Sequence, residues 1–211
     1  MTELTYFIGV VVSFVLTMII GNYLYFVEHK KKYNFLNMFP FEMESKKNSK
    51  LTLLFRILLA VFISICSIDI LYLFIFHFDS NFLTRFIGGI LLLEGFMILG
   101  TFLVSTKLYK GHILVSSSLF ILNMMSYFVF GYISLVNEYE LWMTITSFII
   151  GSILLVIIFL PSLKEGFTLN KLGDEDNYVL ERKKVNLLSL YEWVTIITFI
   201  LVLLINTIIY L

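Results

Sequence analysis

Long runs of predominantly apolar residues follow one another along most of the chain, and they constrain its fold more than any other feature. A helix needs about 20 apolar residues to cross the hydrocarbon core of a bilayer. Six stretches meet that length: 4–27, 51–76, 82–106, 113–136, 141–160 and 187–210. These runs are apolar on every face and lack the alternating polarity of barrel strands. The sequence therefore predicts an all-α polytopic membrane protein with six transmembrane helices.

The composition favours one membrane domain over the whole chain. Of 211 residues, 59% are hydrophobic and 14% are charged, whereas a soluble domain has about 25% charged residues. The segments between the runs are too short for a separate soluble domain, so residues 1–211 are expected to form a single six-helix transmembrane domain. The first residues, MTEL, show no basic region and no small-residue cleavage site, so no removable signal peptide is predicted.

The basic residues predict how the chain is threaded. Thirteen of the 15 lysines and arginines lie in three loops, 28–50, 107–112 and 161–186. By the positive-inside rule these loops are cytoplasmic, which places both the N-terminus and the C-terminus outside. The basic rim suits the anionic lipids of a cytoplasmic leaflet. Because the formal net charge is zero and no basic domain exists, nucleic-acid binding is not expected.

Two of these loops contain further features. The first loop includes an apolar segment, FLNMFPF at 35–41, between clusters of lysines. Two interpretations stay open: an interfacial segment with its aromatic rings in the headgroup region, or an ordinary stop-transfer loop. The last loop contains an acidic turn at 173–176, which is a weak indication of a cation site. The composition, rich in Lys, Ile and Phe and poor in Ala, suggests an AT-rich bacterial genome and hence a plasma membrane.

Small residues recur every four positions along the first span, at Gly9, Ser13, Thr17 and Gly21. Such a stripe lets another helix approach closely in a membrane. It is interpreted in two ways. The favoured one is an internal groove for a helix of the same chain. The other is an interface with a second copy or with a membrane-protein partner.

Opposite charges flank the turn between the second and third spans. With a helix rise of about 1.5 Å per residue, Asp69 lies about 10 Å and Arg85 about 5 Å from the same membrane surface. The short turn makes the two spans antiparallel neighbours, and a charge inside a membrane normally has a partner. The sequence therefore predicts a structural ion pair between Asp69 and Arg85.

One acidic residue, Glu94, occupies the middle of the third span, within GGILLLEGFMILG. It lies about 18 Å from either end of its helix, and no basic residue of another span is expected at that depth. At the matching depth the fourth span carries Asn123, Ser126 and Tyr127. Two interpretations of a contact with these groups stay open: a protonated carboxyl that ties two helices together, or a proton or cation site midway across the membrane.

Enzyme motifs are absent: the sequence has no Gly-x-Ser-x-Gly elbow, His-Glu-x-x-His motif, phosphate loop or dinucleotide fingerprint. Beyond snorkelling edges, Asp69, Glu94 and Arg85 are the ionisable residues assigned to the spans. The lone cysteine, Cys66, and the scattered histidines predict no disulfide, no metal site and no cofactor. The first expectation is a non-catalytic membrane protein that acts by contact, as an accessory subunit or an immunity-type protein. The alternative is a small transporter or ion-conducting protein with Glu94 as its site, and an intramembrane enzyme comes third.

Overall fold

Apolar runs without a proline become α-helices throughout the described part of the chain. The computed structural model describes residues 2–44, 49–77, 82–104, 109–159 and 185–209. Within these ranges six α-helices follow in order: α1 (Thr2–His29), α2 (Ser49–Leu71), α3 (Phe82–Leu103), α4 (Tyr109–Val136), α5 (Leu141–Phe159) and α6 (Leu187–Ile209). Two shorter helical segments accompany them: a 3₁₀ turn at Pro40–Met43 and a π-helical turn at Tyr72–His77, which continues α2.

Five of the six helices are long and apolar enough to cross a membrane, and α5 is a shorter apolar helix. Their apolar side chains also cover the outside of the bundle. On α1, for example, Val12, Leu16 and Ile19 are about half exposed. A water-soluble protein would hide such a surface, whereas lipid tails accept it. The described residues therefore form an all-helical protein of the membrane type, and its apolar outer faces are consistent with contact with a lipid bilayer.

The order of packing follows the chain and then closes on itself. Each of α1 to α4 contacts the next helix along the chain, and α6 returns to contact α4, α1 and α3. This return brings the last helix against the third and fourth, so α3, α4 and α6 share a buried region inside the bundle. The polar residues discussed below lie in that region.

The small-residue stripe on α1 faces other parts of the same chain. A Cβ atom added at Gly9 would lie 3.3 Å from Cγ2 of Ile65 on α2. One added at Gly21 would lie 2.6 Å from Sδ of Met43 and 2.9 Å from Cε2 of Phe55. The two members between them, at positions 13 and 17, are buried as well. The stripe is thus where α2 and the 3₁₀ turn approach the α1 backbone.

Residues 33–44, which we call the plug, fold into one end of the bundle. Phe39 and Met43 are fully buried. The hydroxyl of Tyr33 lies 2.8 Å from the carbonyl oxygen of Met38 and 2.7 Å from that of Phe39, and the Trp193 indole donates to Met38 at 2.9 Å. Both interpretations of the FLNMFPF segment placed it outside the bundle. Its second half is instead inserted between helices, held by aromatic hydrogen-bond donors.

Two of the predicted basic loops differ from the expectation or lie mostly outside the described residues. The segment 107–112 is not all loop, because α4 begins at Tyr109 and His112 is 1% exposed inside the bundle. The fourth span was expected to begin at 113, so the helix starts four residues earlier than predicted and His112 lies inside the bundle instead of in a loop. Most of the loop 161–186, with its acidic turn at 173–176, lies outside the described residues, so the cation site there stays a prediction.

Candidate functional site

Polar side chains line the region where α3, α4 and α6 meet, and we call this line of residues the polar seam. On α4 they recur at spacings of three, four and seven, which places them on one helical face. The seam consists of Glu94 on α3; His112, Ser116, Asn123, Ser126 and Tyr127 on α4; and Ser189, Glu192, Thr195 and Thr198 on α6. All of them are buried except Thr198, which is partly buried.

At the centre of the seam, Glu94 is 0% exposed. Its Oε1 accepts a hydrogen bond from the side-chain amide of Asn123. The amide oxygen of Asn123 in turn accepts a hydrogen bond from the Thr198 hydroxyl at 2.8 Å. Asn123 therefore connects α3 to α6 across α4. The second carboxyl oxygen of Glu94, Oε2, has no hydrogen-bond partner among the described residues.

The other two residues expected near Glu94 serve the backbone around it. The Ser126 hydroxyl donates to the carbonyl of Asn123 at 2.7 Å. The Tyr127 hydroxyl donates to the carbonyl of Thr198 at 2.7 Å, which ties α4 to α6 a second time. Of the three α4 residues proposed from the sequence, Asn123 donates to the carboxyl directly and Ser126 interacts with it as well. Tyr127 holds α4 against α6 beside them.

Replacing Asn123 with leucine is expected to lower the free energy of unfolding by about 1–3 kcal/mol, because the buried Glu94 carboxyl then loses its donor. Unfolding of the purified protein in mixed detergent micelles measures this effect. The double variant Asn123→Leu/Glu94→Leu is the control. It should recover most of the loss, since no buried polar group is then left without its partner. A double variant less stable than Asn123→Leu alone would contradict the pairing.

A second buried cluster lies at the end of the seam next to the plug. Nε2 of His112 lies 3.0 Å from Oε1 of Glu192, and the two side chains are 1% and 0% exposed. The Ser116 hydroxyl donates to the same Oε1. The other ring nitrogen, Nδ1, lies 2.8 Å from the backbone carbonyl oxygen of Val104, just past the end of α3. One imidazole thus contacts both α6 and the end of α3.

The plug covers this second cluster. The rings of Phe39 and Phe41 meet the His112 ring edge-on, with centroids 5.2 Å and 5.5 Å away. Phe39 also belongs to a small buried group with Phe120 and Leu188. The imidazole is therefore closed off from the adjacent aqueous side by two aromatic rings that the chain segment before α2 supplies.

The sequence interpretation missed this cluster. Glu192 stands near the start of its span, where charged side chains are expected to reach the surface. The available signal was the spacing of His112 and Ser116, four residues apart on the polar face of α4. The depth argument matches that face only to Glu94, so it does not indicate the polar residues at the start of α6.

The cluster has the residue types of a hydrolase triad but not its connections. In such a triad the serine hydroxyl is hydrogen-bonded to the imidazole, which removes its proton. Here the Ser116 hydroxyl donates to the carboxyl of Glu192, while both nitrogens of His112 face other groups. The arrangement therefore does not activate Ser116 as a nucleophile. It holds an imidazole and a carboxyl together.

The predicted ion pair between Asp69 and Arg85 is wrong. Asp69 is 0% exposed, and neither of its carboxyl oxygens has a hydrogen-bond partner among the described residues. Arg85 instead lines a cavity of about 400 Å³ between α2 and α3, whose other lining residues are apolar and do not include Asp69. The rise per residue predicted the depth of both groups but not the direction in which each points around its helix. In addition, the π-helical turn at Tyr72–His77 changes the angular register between them.

The seam contains two carboxyls, one imidazole and several hydroxyls, each close to another polar group. Such groups can bind, hold and pass protons. Within the described ranges, no group of three or more His, Cys, Asp or Glu side chains could hold a metal ion. No protein-family model matches the chain, and neither does any curated protein or solved structure.

Proposed function

We propose that the protein conducts protons across the membrane and that Glu94 is the residue that binds them midway. The observation that carries this proposal is the fully buried Oε2 of Glu94, which has no hydrogen-bond partner among the described residues. A carboxylate in an apolar interior is very unfavourable unless it is neutralised. A buried, ionised carboxylate therefore binds a proton or another cation strongly.

A proton suits this position better than a larger cation. The cavity of about 400 Å³ is lined on α3 by Arg85, Gly88, Gly89 and Leu92, and not by Glu94. On a helix with 100° between residues, these positions lie nearly opposite Glu94. A proton neutralises the carboxyl without needing that space. A metal ion would need several further oxygen ligands around Oε2.

The seam also supports movement along the membrane normal. His112 and Asn123 lie about 16 Å apart along α4 by helix rise. Between their levels α6 contributes hydroxyl groups at Thr195 and Thr198. Hydroxyls both donate and accept hydrogen bonds, so they can relay a proton between titratable groups. The path from the plugged end to Glu94 is therefore polar on two helices.

The orientation belongs to the same proposal. Counting α5, whose 19 residues rise about 28 Å, the chain would span the membrane six times. The loops 28–50, 107–112 and 161–186 would then face the cytoplasm, and both termini would lie outside. The site would thus sit in a plasma membrane with anionic lipids at its basic rim.

The alternative function is that of a non-catalytic protein acting by contact, as an accessory subunit or an immunity-type protein. The packing faces that could serve such a contact included the stripe on α1. That stripe lies against Ile65, Met43 and Phe55 of the same chain, so a partner or a second copy would have to use another face. An intramembrane enzyme has the weakest support, because Ser116 is hydrogen-bonded to Glu192 rather than to an imidazole.

Proton flux into vesicles tests the proposal directly. Purified full-length protein is reconstituted into liposomes that contain a pH-sensitive dye, and the membrane voltage is clamped with potassium and valinomycin. After a pH jump, the internal pH should change faster in these vesicles than in empty ones, and the rate should grow with the amount of protein. Equal rates in loaded and empty vesicles would refute proton conduction and favour the contact function.

A further inference from the structure

We propose that His112 and Glu192 form a second proton-binding site, which exchanges protons with the side of the membrane at the plug. Its place in series with Glu94 rests on the proposed function, but its existence as a site does not. The ligand is a proton, and the groups that bind it are Nε2 of His112 and Oε1 of Glu192, 3.0 Å apart.

The two contacts of the imidazole determine how many protons the pair holds. A backbone carbonyl only accepts, so Nδ1 of His112, 2.8 Å from the Val104 oxygen, carries a hydrogen. In a neutral imidazole Nε2 is then bare, and a bare nitrogen 3.0 Å from an ionised carboxylate oxygen is repelled. The pair therefore holds one more proton, on Nε2 as an imidazolium or on Glu192 as a carboxylic acid. Nε2 has no hydrogen-bond partner of good geometry among the described residues, so its contact with Oε1 is a close approach of two groups rather than an aligned hydrogen bond. The arrangement is that of a loaded site.

Release of this proton has a structural consequence. The one remaining imidazole N–H can donate a hydrogen bond to the Val104 carbonyl or to the Glu192 carboxylate, but not to both. The ring must then give up one of its two contacts, and these contacts join α4 to the end of α3 and to α6. Proton release is thereby coupled to the packing of three helices beneath the plug.

Few other polar groups compete for the proton. From α6, Glu192 meets the imidazole; from α4, Ser116 donates to the same carboxyl; and from the plug, Glu42 interacts with His112 electrostatically. Ser189 lies three residues before Glu192 on α6, which places the two on the same helical face. Oε2 of Glu192 and the hydroxyl of Ser189 are both buried and have no hydrogen-bond partner among the described residues. These two unpartnered oxygens, in addition to the contact itself, leave room in the hydrogen-bond network for a proton or a water molecule to arrive.

Charged residues near the plug lie at its rim rather than at the site. Arg56 is bound to Glu44 by two hydrogen bonds of 2.7 Å and 2.8 Å and is largely exposed. Within the described residues, no lysine or arginine forms an ion pair with Glu192. Among the described residues, His112 is the basic group that meets the buried carboxyl.

Infrared difference spectroscopy of the full-length protein in liposomes tests the site without relying on transport. Spectra are recorded from about pH 5 to about pH 9, a range on both sides of the ordinary pKa of an imidazole. The wild type should show pH-dependent imidazole bands together with carboxyl bands. Glu192→Gln should remove one set of pH-dependent bands, and Glu94→Gln should remove a different one. Spectra of the wild type and Glu192→Gln that superimpose at every pH would overturn the proposal.

A milder variant keeps the test valid if Glu192→Gln fails to fold. Ser116→Ala retains both titratable groups and removes the hydroxyl that donates to Oε1. It should move the midpoint of the pair's titration by about one pH unit, the equivalent of one hydrogen bond to a charged group. An unchanged midpoint in this variant would count against the site.

Flux measurements separate this site from the function proposed for Glu94. Glu192→Gln should slow proton flux at least about tenfold if the pair feeds Glu94. Titration at the pair with no flux in wild-type vesicles would leave the site standing and refute proton conduction. Wild-type flux without titration at the pair would refute the site and leave proton conduction standing. Titration together with unchanged flux in Glu192→Gln would refute the placement in series.

Discussion

Glu94→Gln is expected to reduce proton flux in reconstituted vesicles to the rate of empty vesicles. Glutamine has nearly the volume of glutamate, and its side-chain oxygen still accepts the hydrogen bond from Asn123. It has no proton to release and no charge to neutralise, so the relay is interrupted at its midpoint. The folded state should survive, because an amide in this buried position needs no neutralising cation. Dye-loaded liposomes measure the flux, and thermal unfolding in detergent checks the fold.

Asp69→Asn provides a matched control for this variant. Asp69 is another fully buried carboxyl in a neighbouring helix, and it too lacks a hydrogen-bond partner among the described residues. It lies outside the polar seam, so its amide variant should keep the wild-type flux. Wild-type flux in Glu94→Gln would contradict the proposal. An equal loss of flux in both variants would indicate a general effect of altering buried acids rather than a proton path.

Depth within the membrane was the property that the sequence predicted well. Helices that start at a common surface rise equally per residue, so counting residues brings Glu94 to the level of Asn123. That count needs no knowledge of how the helices are rotated. The structure places the amide of Asn123 on the carboxyl of Glu94. Counting residues in the sequence is therefore enough to predict the contact at the centre of the candidate site.

Rotation about the helix axis was the property that could not be predicted. Asp69 and Arg85 have suitable depths and opposite charges, yet they point to different surroundings. Hydrophobic periodicity usually supplies this angle, but spans that are apolar on all sides carry little of that signal. A depth argument in such a chain predicts which residues could meet, and a polar stripe is needed to predict which of them do.

Contacts between distant segments set the second limit. The His112 cluster requires α4, the start of α6, the end of α3 and the plug to meet at one point. No sequence pattern in any of these segments predicts that it contacts the others. The plug illustrates the same difficulty, because its anchors include the indole of Trp193, 155 positions beyond the Met38 carbonyl to which it donates. Such arrangements follow from packing of the whole bundle rather than from local propensity.

Phe39→Ala is expected to lower the free energy of unfolding by about 3–5 kcal/mol, the range for truncating a buried phenylalanine. Phe39 is 0% exposed and packs with Phe120 and Leu188 beside the His112 ring. Because the plug inserts from the aqueous side, the transfer involved is from water to protein, so the full hydrophobic contribution applies. Chemical unfolding in mixed micelles measures the loss.

Leu36→Ala is the control within the same plug. Leu36 is 48% exposed, and the contact it makes to Asn186 uses its backbone oxygen, which the substitution leaves in place. A change at this exposed position should stay within about 0.5 kcal/mol. Similar small losses for both variants would mean that the plug is not packed into the bundle. A large loss for Phe39→Ala alone would identify the plug as part of the core that covers the His112 cluster, because only an inserted ring leaves a cavity when it is removed.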